Sequence, residues 1–256
     1  MATLHFRQGI LPIWKKVVRQ EETGWRTELV NTIAIPLTFF LAFGIGLQGY
    51  IGEVEGLSYM AFLAPGLITQ TLMMEAFRTG SWGLWLDRWY QKMLQEFRIK
   101  PISTEDIIIG EILGGFTVAV MKALVVGAIL LMVAPVHVTL LQFLMYFSLV
   151  LPGCVFFTCL GCLAGTSFSK PDQIAKSQTI FITPLLYLGG LFFPITVLPE
   201  QILPVIRLLP TTAVFDGGRQ ALMHGRFHLQ YVVVIWVCAA LSFWVATVWF
   251  NKKMAE

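Results

Sequence analysis

Charge is scarce in this chain of 256 residues: 13% are Asp, Glu, Lys or Arg, where a soluble domain carries about 25%. So little charge cannot wet the surface of a 28.7 kDa globule, and with 56% hydrophobic residues and a mean hydropathy of +0.72 the apolar excess must face lipid. A net charge of +3 rules out the dense basic stripe expected of a nucleic-acid binder. There are only four cysteines: Cys154, Cys159, Cys162 and Cys238. Cys159 and Cys162 form a C-x-x-C with no second Cys or His pair at ligand spacing, so helix packing is expected there, not a metal or redox site. The sequence lacks G-x-x-x-x-G-K-[ST], G-x-S-x-G and H-E-x-x-H, which excludes the usual ATP-phosphate cradle and two common hydrolase designs. His5, His137, His224 and His228 all lie away from the centres of apolar runs, so a Ser–His intramembrane protease would lack its base. No secretory h-region precedes the first apolar run, which is therefore expected to be retained.

Apolar runs fill most of the rest. About 20 residues cross the hydrocarbon core as a helix, and six stretches qualify: 29–49, 57–77, 107–133, 140–167, 174–193 and 229–250. The expected fold is a single all-α integral membrane domain over 1–256 with six transmembrane helices. Lys and Arg in the connecting segments obey one parity, fourteen on one side against three on the other. The positive-inside rule then puts both termini in the cytoplasm.

Three segments do not read as spans. Residues 1–28 include Ile13, Trp14, Val17 and Val18 on one stripe beside Lys15, Lys16 and Arg19, the pattern of an interfacial helix on the inner leaflet. In 82–99, Trp82, Leu86, Trp89, Met93 and Phe97 share one helical face, and Pro101 and then S-T-E-D at Ser103 mark the capped start of the third span. That pattern suits either a membrane-surface anchor or a docking helix for a cytoplasmic partner. Residues 189–224 are apolar but broken by Pro194, Pro199, Pro204 and Pro210, which predicts two short outer re-entrant helices near 200–208 and 213–224. Gly161 with Gly165 offers close helix contact.

Three ionisable residues fall inside the expected spans: Glu75, Glu111 and Lys122. Such groups are costly in lipid and mark a substrate path by default. Counted from the start of its span, Lys122 belongs to the outer half, where it either snorkels outward or faces a polar cavity. On the same count Glu75 and Glu111 lie near the inner interface, too low to pair with it.

Three motifs carry a resemblance. Tyr59–Ile68 (YMAFLAPGLI), Met93–Gly115 (MLQEFRIKPISTEDIIIGEILGG) and Gly190–Leu222 (GLFFPITVLPE…LLPTTAVFDGGRQAL) are similar to the membrane subunits of ABC type-2 exporters of polysaccharides, nodulation factors and drugs. The resemblance spans nearly the whole chain. It implies a coupling helix within 82–103 in which Gln91, Lys92, Leu94, Gln95, Glu96, Phe97 and Arg98 meet a separate ATPase subunit. It further implies an outer gate at Phe192, Phe193 and Pro194, with Asp216 and Arg219 on the short outer helices. Trp82, Trp85 and Trp89 make this region more aromatic than the family pattern.

The expected function is thus a non-enzymatic permease subunit in a bacterial inner membrane, moving an amphipathic, lipid-linked, glycan or drug-like substrate. A second copy and an ABC ATPase are the expected partners, with ATP and Mg²⁺ on the ATPase and no cofactor on this chain. A membrane-embedded lipid-modifying enzyme, built on Glu75, Glu111 and Arg78, is the alternative. A passive channel lacks a polar pore ring in this sequence.

Overall fold

In the computed structural model the protein is described over residues 6–22, 24–90, 102–134, 136 and 138–255. The expected coupling residues Gln91, Lys92, Leu94, Gln95, Glu96, Phe97 and Arg98 lie outside these described residues.

The amphipathic stripe near the N-terminus forms α1 (Phe6–Glu22). Gly24, with φ +96°, turns the chain into α2 (Trp25–Phe39), which continues as a π-turn over Phe40–Ile45. A short α3 (Gln48–Ile51) leads into a two-stranded antiparallel hairpin, β1 (Glu53–Val54) and β2 (Leu57–Ser58), with Val54 opposite Leu57. Ser58 caps α4 (Tyr59–Trp85) by accepting from the Ala61 N–H, and α4 extends through a π-turn over Leu86–Tyr90. Ser103 caps α5 (Thr104–Val133) through the Asp106 N–H, as the S-T-E-D motif predicts. Thr139 and Gln142 form a full capping box on α6 (Leu140–Ser167). Then come α7 (Pro171–Ser177), a π-turn at Gln178–Ile182, α8 (Thr183–Leu188), α9 (Leu203–Arg207), α10 (Pro210–His224) and α11 (Leu229–Ala255).

Five helical runs among the described residues are long and apolar enough to cross a membrane: Trp25–Ile45, Tyr59–Trp89, Thr104–Val133, Leu140–Ser167 and Leu229–Lys253. The chain is an all-α membrane protein. The stretch expected as the fifth span is helical from Pro171 to Leu188, but Asp172, Gln173, Lys176 and Gln178 dilute its hydropathy, and it ends at Gly189 rather than Phe193.

Burial ranks the helices. In the most apolar window of α4, 78% of residues are buried, against 22% for those of α2 and α11, so α4 is the axis of the bundle. Its closest partner is α6, and small residues explain the approach. A Cβ on Gly161 would stand 2.4 Å from the Phe77 carbonyl, one on Gly165 2.3 Å from the Ser81 carbonyl, and one on Gly80 2.5 Å from the Thr158 carbonyl. Backbone meets backbone along this seam, which maximises dispersion contact where no hydrophobic effect drives helices together.

This seam corrects the expected end of the second span. Gly80, Ser81 and Gly83 are helix-weakening in isolation, yet packing keeps α4 continuous past Phe77. The tryptophan-rich stretch from Trp82 to Tyr90 is therefore the lower end of α4 and its π-turn, not the start of a separate surface helix. The first span likewise begins at Trp25, earlier than the expected residue 29.

α1 also departs from a helix resting flat on a surface. Ile13 and Val17 fill notches at Gly110 and Gly114 of α5, Gly9 lies against Asp106, and Trp14 Nε1 donates to Thr117 Oγ1 at 3.0 Å. The two helices rise side by side in the same direction, from Gly9 at Asp106 to Glu21 at Lys122.

Side-chain contacts gather the basic segments at one end. Arg88 beyond α4 donates to the Thr166 carbonyl of α6, and Thr104 of α5 bonds Asn251 of α11 at 2.5 Å. At the opposite end Tyr59 of α4 donates to the Phe192 carbonyl at 3.0 Å and Gln220 of α10 to Glu55 at 3.3 Å.

Candidate functional site

Four elements bring charge together inside the bundle. Glu75 of α4 sits at the centre: Oε2 takes Lys122 Nζ of α5 at 2.9 Å and Arg78 Nε at 2.8 Å, and Oε1 accepts from Thr32 of α2 at 3.0 Å. Arg78 extends to Glu21 of α1 at 2.6 Å and Glu28 of α2 at 3.5 Å, while Lys122 reaches the same two carboxylates at 2.9 and 3.7 Å. Lys122 and Glu75 are nearly inaccessible, with side chains 8% and 9% exposed. Isolated, each would be very costly in a low-dielectric interior; together, with hydrogen bonds on both sides, they compensate. With all groups ionised, three carboxylates face two cations.

This corrects the expectation that Glu75 lies too low to meet Lys122. Lys122 does not snorkel outward, because α1 and α4 carry carboxylates to its level, and the cavity it lines is mostly apolar and not the polar one expected. Glu111 does remain apart from Lys122. Glu111 is fully buried in a second cluster, where Lys16 of α1 bonds it at 2.9 Å and also bonds Asp87. Burial alone would lower the Lys16 pKa, but the Glu111 and Asp87 carboxylates outweigh it and raise the amine above its ordinary value. Of the three expected path residues, the fold thus joins Glu75 with Lys122 and places Glu111 elsewhere.

Two cavities flank the Glu75–Lys122 pair. One, of about 290 Å³, lies between α2, α4 and the π-turn at Gln178; Glu28, Asn31, Thr32, Gln70, Thr71, Glu75, Arg78 and Gln178 supply its polar groups, and Ile35, Pro36 and Met74 make most of its accessible wall apolar. The other, of about 280 Å³, lies between α1, α2 and α5 and is mostly apolar, with Trp25, Met121 and Val125 beside Glu21 and Lys122.

At the opposite end, Arg219 of α10 is buried at 2% exposure. Its Nε donates to the Phe62 carbonyl at 3.1 Å, and Nη2 to the carbonyls of Gly190 and Leu191 at 3.0 and 3.1 Å. Its guanidinium stacks on the Phe62 ring at 3.7 Å. Gly66, next to the helix-interior Pro65, makes room: a Cβ there would be 3.0 Å from Nη2. Among the described residues no carboxylate lies within 4 Å of this guanidinium. Asp216, on the same helix, instead accepts from Tyr231 at 2.8 Å. The expected gate residues occupy the loop that Arg219 grips. The Phe192 ring packs on Phe39, Phe43 and Tyr187 at 5.1 to 5.3 Å, Phe193 is half-buried, and Pro194 is buried before the turn Ile195–Val197.

Sequence reasoning missed Glu21, Glu28, Thr32, Lys16 and Asp87. Glu21 and Lys16 sit on a helix whose partner face was legible only as a stripe, and Asp87 reads as a solvated charge until α4 is seen to continue past it.

A family model described as "ABC-2 type transporter" matches residues 12–223. The chain is 30% identical over 207 residues to the "Inner membrane transport permease YadH" of Escherichia coli (strain K12), covering 81% of this chain and 80% of that protein. It is 26% identical over 214 residues to "Nodulation protein J" of Rhizobium leguminosarum bv. viciae, covering 82% of each, and 24% identical over 251 residues to that of Rhizobium meliloti (strain 1021), covering 94% of each. With its membrane-length helices, proline-broken segment after Gly189 and family match over most of its length, the chain belongs to the ABC-2 type transporter family of transport permeases.

Proposed function

We propose that this chain is the permease subunit of an ATP-driven exporter in a bacterial inner membrane. Two copies frame the path, and a separate ATPase subunit holding ATP and Mg²⁺ drives it. The cargo is an amphipathic, lipid-linked or glycan-like molecule taken from the cytoplasm or the inner leaflet. Family membership supports the class. The observation that carries the mechanism is that α4 and α5, the helices on either side of 91–101, are cross-tied by the Glu75–Lys122 pair. Force applied by the ATPase at Gln91–Arg98 would travel along α4, continuous from Tyr59 to Tyr90, and pass to α5 at that tie.

The helix Pro171–Leu188 makes the sixth crossing in this reading: its 18 residues span about 27 Å at 1.5 Å per residue. α9 and α10 are the outer re-entrant elements, and both termini face the cytoplasm. The lipid-modifying enzyme reading needs a carboxylate open to substrate, and Glu75 and Glu111 are both engaged by cations, so it has less support.

The test is to co-express the chain with the ATPase of the neighbouring reading frame and reconstitute the complex. Charge reversal at Glu96 and Arg98 should abolish ATP-driven export while leaving the permease in the membrane. Export that proceeds unchanged, or without ATP, would refute the proposal.

A further inference from the structure

At the end of the bundle where Arg219 grips its loop, a mostly polar cavity of about 290 Å³ lies apart from the ionic clusters. Five side chains from separate elements converge on it: Glu55 from the hairpin turn, Arg207 from the last turn of α9, Asp216 from α10, Arg226 from the loop after Gly225, and Tyr231 from the start of α11. Asp216 and Tyr231 are buried and form its floor, where the Tyr231 hydroxyl donates to Asp216 Oδ2 at 2.8 Å. Glu55, Arg207 and Arg226 are exposed and form its rim. Local geometry fixes two of the rim residues. Glu55 sits at φ +54° in a hairpin turn with Gly56, where Asn or Gly is usual, and its Oε2 accepts from Gln220 Nε2 at 3.3 Å. Gly225, at φ +61°, ends α10 and turns the chain so that the Arg226 N–H meets the Gln220 carbonyl at 3.0 Å.

The charges lining the cavity narrow the ligand. Among the described residues neither Arg207 nor Arg226 has a carboxylate within 4 Å, in contrast to Arg78 and Lys122. Both guanidinium forks are therefore open to a ligand. The lining charges balance, Arg207 and Arg226 against Glu55 and Asp216. A metal ion would meet two guanidiniums, and a purely anionic group would meet two carboxylates. A group carrying both a phosphate and an ammonium finds a partner for each: the phosphate takes the guanidinium donors, and the ammonium donates to the carboxylates. The volume lies at the lower edge of ligand sites and matches a headgroup, not a whole lipid. Apolar side chains stand beside the rim. Val205 and Leu208 bracket Arg207, Phe227 follows Arg226, and they are 64%, 63% and 44% exposed. In a membrane protein, arginines next to outward-facing apolar side chains belong at the headgroup level, with lipid tails alongside. A bilayer lipid is thus the source of the ligand.

We infer that this cavity seats the phosphoethanolamine headgroup of a bilayer lipid, with its phosphate on Arg207 and Arg226 and its ammonium toward Glu55 and Asp216. The bound lipid links α9 to the hairpin and to the start of α11, and so holds the proline-broken segment against the leaflet. The inference goes beyond the permease reading and stands without it.

The test uses the full chain in maltoside micelles, without ATPase or ATP, so its outcome is independent of whether export is ATP-driven. The micelles are doped with one of two photoreactive lipids that share the same diazirine tails, phosphatidylethanolamine or phosphatidylglycerol, and cross-links are mapped by mass spectrometry. The ethanolamine lipid should label 203–209 and 225–231 preferentially. Arg207→Gln and Arg226→Gln should each weaken that labelling roughly fivefold, the scale of one charge-assisted hydrogen bond at an exposed rim. Both residues are exposed, so neither substitution threatens folding, and size-exclusion chromatography checks this. Glu55→Gln should abolish the preference for ethanolamine over glycerol without lowering the labelling by phosphatidylglycerol. Arg26→Gln, on α2 at the other end of the bundle, should change nothing. Soluble glycerophosphoethanolamine, equimolar with the probe, should not compete. Equal labelling by the two lipids, indifference to both arginine substitutions, a preference that survives Glu55→Gln, or an equal loss with Arg26→Gln would each overturn the assignment. Displacement by the soluble headgroup would overturn it too, by showing that the site takes a soluble phosphate ester and not a lipid.

Discussion

Replacing Lys122 by Met separates electrostatic tying from packing, because Met nearly matches the lysine stem in length and lacks its charge. Lys122 Nζ lies 2.9 Å from both Glu75 and Glu21, and the Lys122 and Glu75 side chains are each less than 10% exposed. Breaking a fully buried pair from one side typically costs about 3–5 kcal/mol. Here Arg78 still faces both carboxylates from 2.6 to 2.8 Å, so the stranded charge is partly compensated and about 2–3 kcal/mol is expected. Glu75→Gln removes charge from the other side and leaves Lys122 with Glu21 at 2.9 Å and Glu28 at 3.7 Å. The double variant restores the charge balance of the cluster, so its loss should be smaller than the sum of the single losses by about 1–2 kcal/mol, the range for contacting charged residues. Thermal or denaturant unfolding of the purified protein in one detergent, for all four members of the cycle, measures this coupling. Strictly additive losses would mean that the pair does not tie α4 to α5, and the mechanical role assigned to it would fall with it.

Other outcomes follow from different contacts. Gly161→Leu should prevent the close approach of α4 and α6, because even the first added carbon would stand 2.4 Å from the Phe77 carbonyl; a markedly lower yield of monodisperse protein on size-exclusion chromatography is the readout. Arg219→Lys keeps a charge but loses the planar fork that reaches three carbonyls, so limited proteolysis within 189–198 should speed up severalfold. Lys16→Met should destabilise the base of α1 and α5, with a definite pH signature. Because the folded state raises the Lys16 pKa, its contribution is fully present below the ordinary lysine value of 10.5 and is lost only as pH climbs through the higher folded value. The melting-temperature gap between the wild type and Lys16→Met should therefore stay constant from about pH 6 to 9, and a gap that closes across that window contradicts the assignment.

Much of the architecture was legible because lipid imposes a coarse filter. Ser103 announces α5, the apolar run 140–167 is α6 residue for residue, and the prolines at 194–210 foretell a broken segment. What escaped was the depth of charges. Counting 1.5 Å per residue from the start of a span assumes that the helix begins at the membrane face. α5 has 30 residues, about 45 Å, against a hydrocarbon core of about 30 Å, so much of it stands outside the core. α1 lines α5 from Asp106 to Lys122, about 24 Å, which is longer than that surplus of about 15 Å and so reaches on into the core. Composition shows α1 as a membrane-loving stripe and cannot show that its partner is protein, because Ile13 and Val17 fit a notch between glycines as well as they fit a lipid tail. Once α1 climbs α5, Glu21 arrives at Lys122 and α2 starts beside it with Glu28. The ionic cluster is then a consequence of helix overhang: a lysine that would be stranded by the sequence count stands where the amphipathic helix ends and the first span begins.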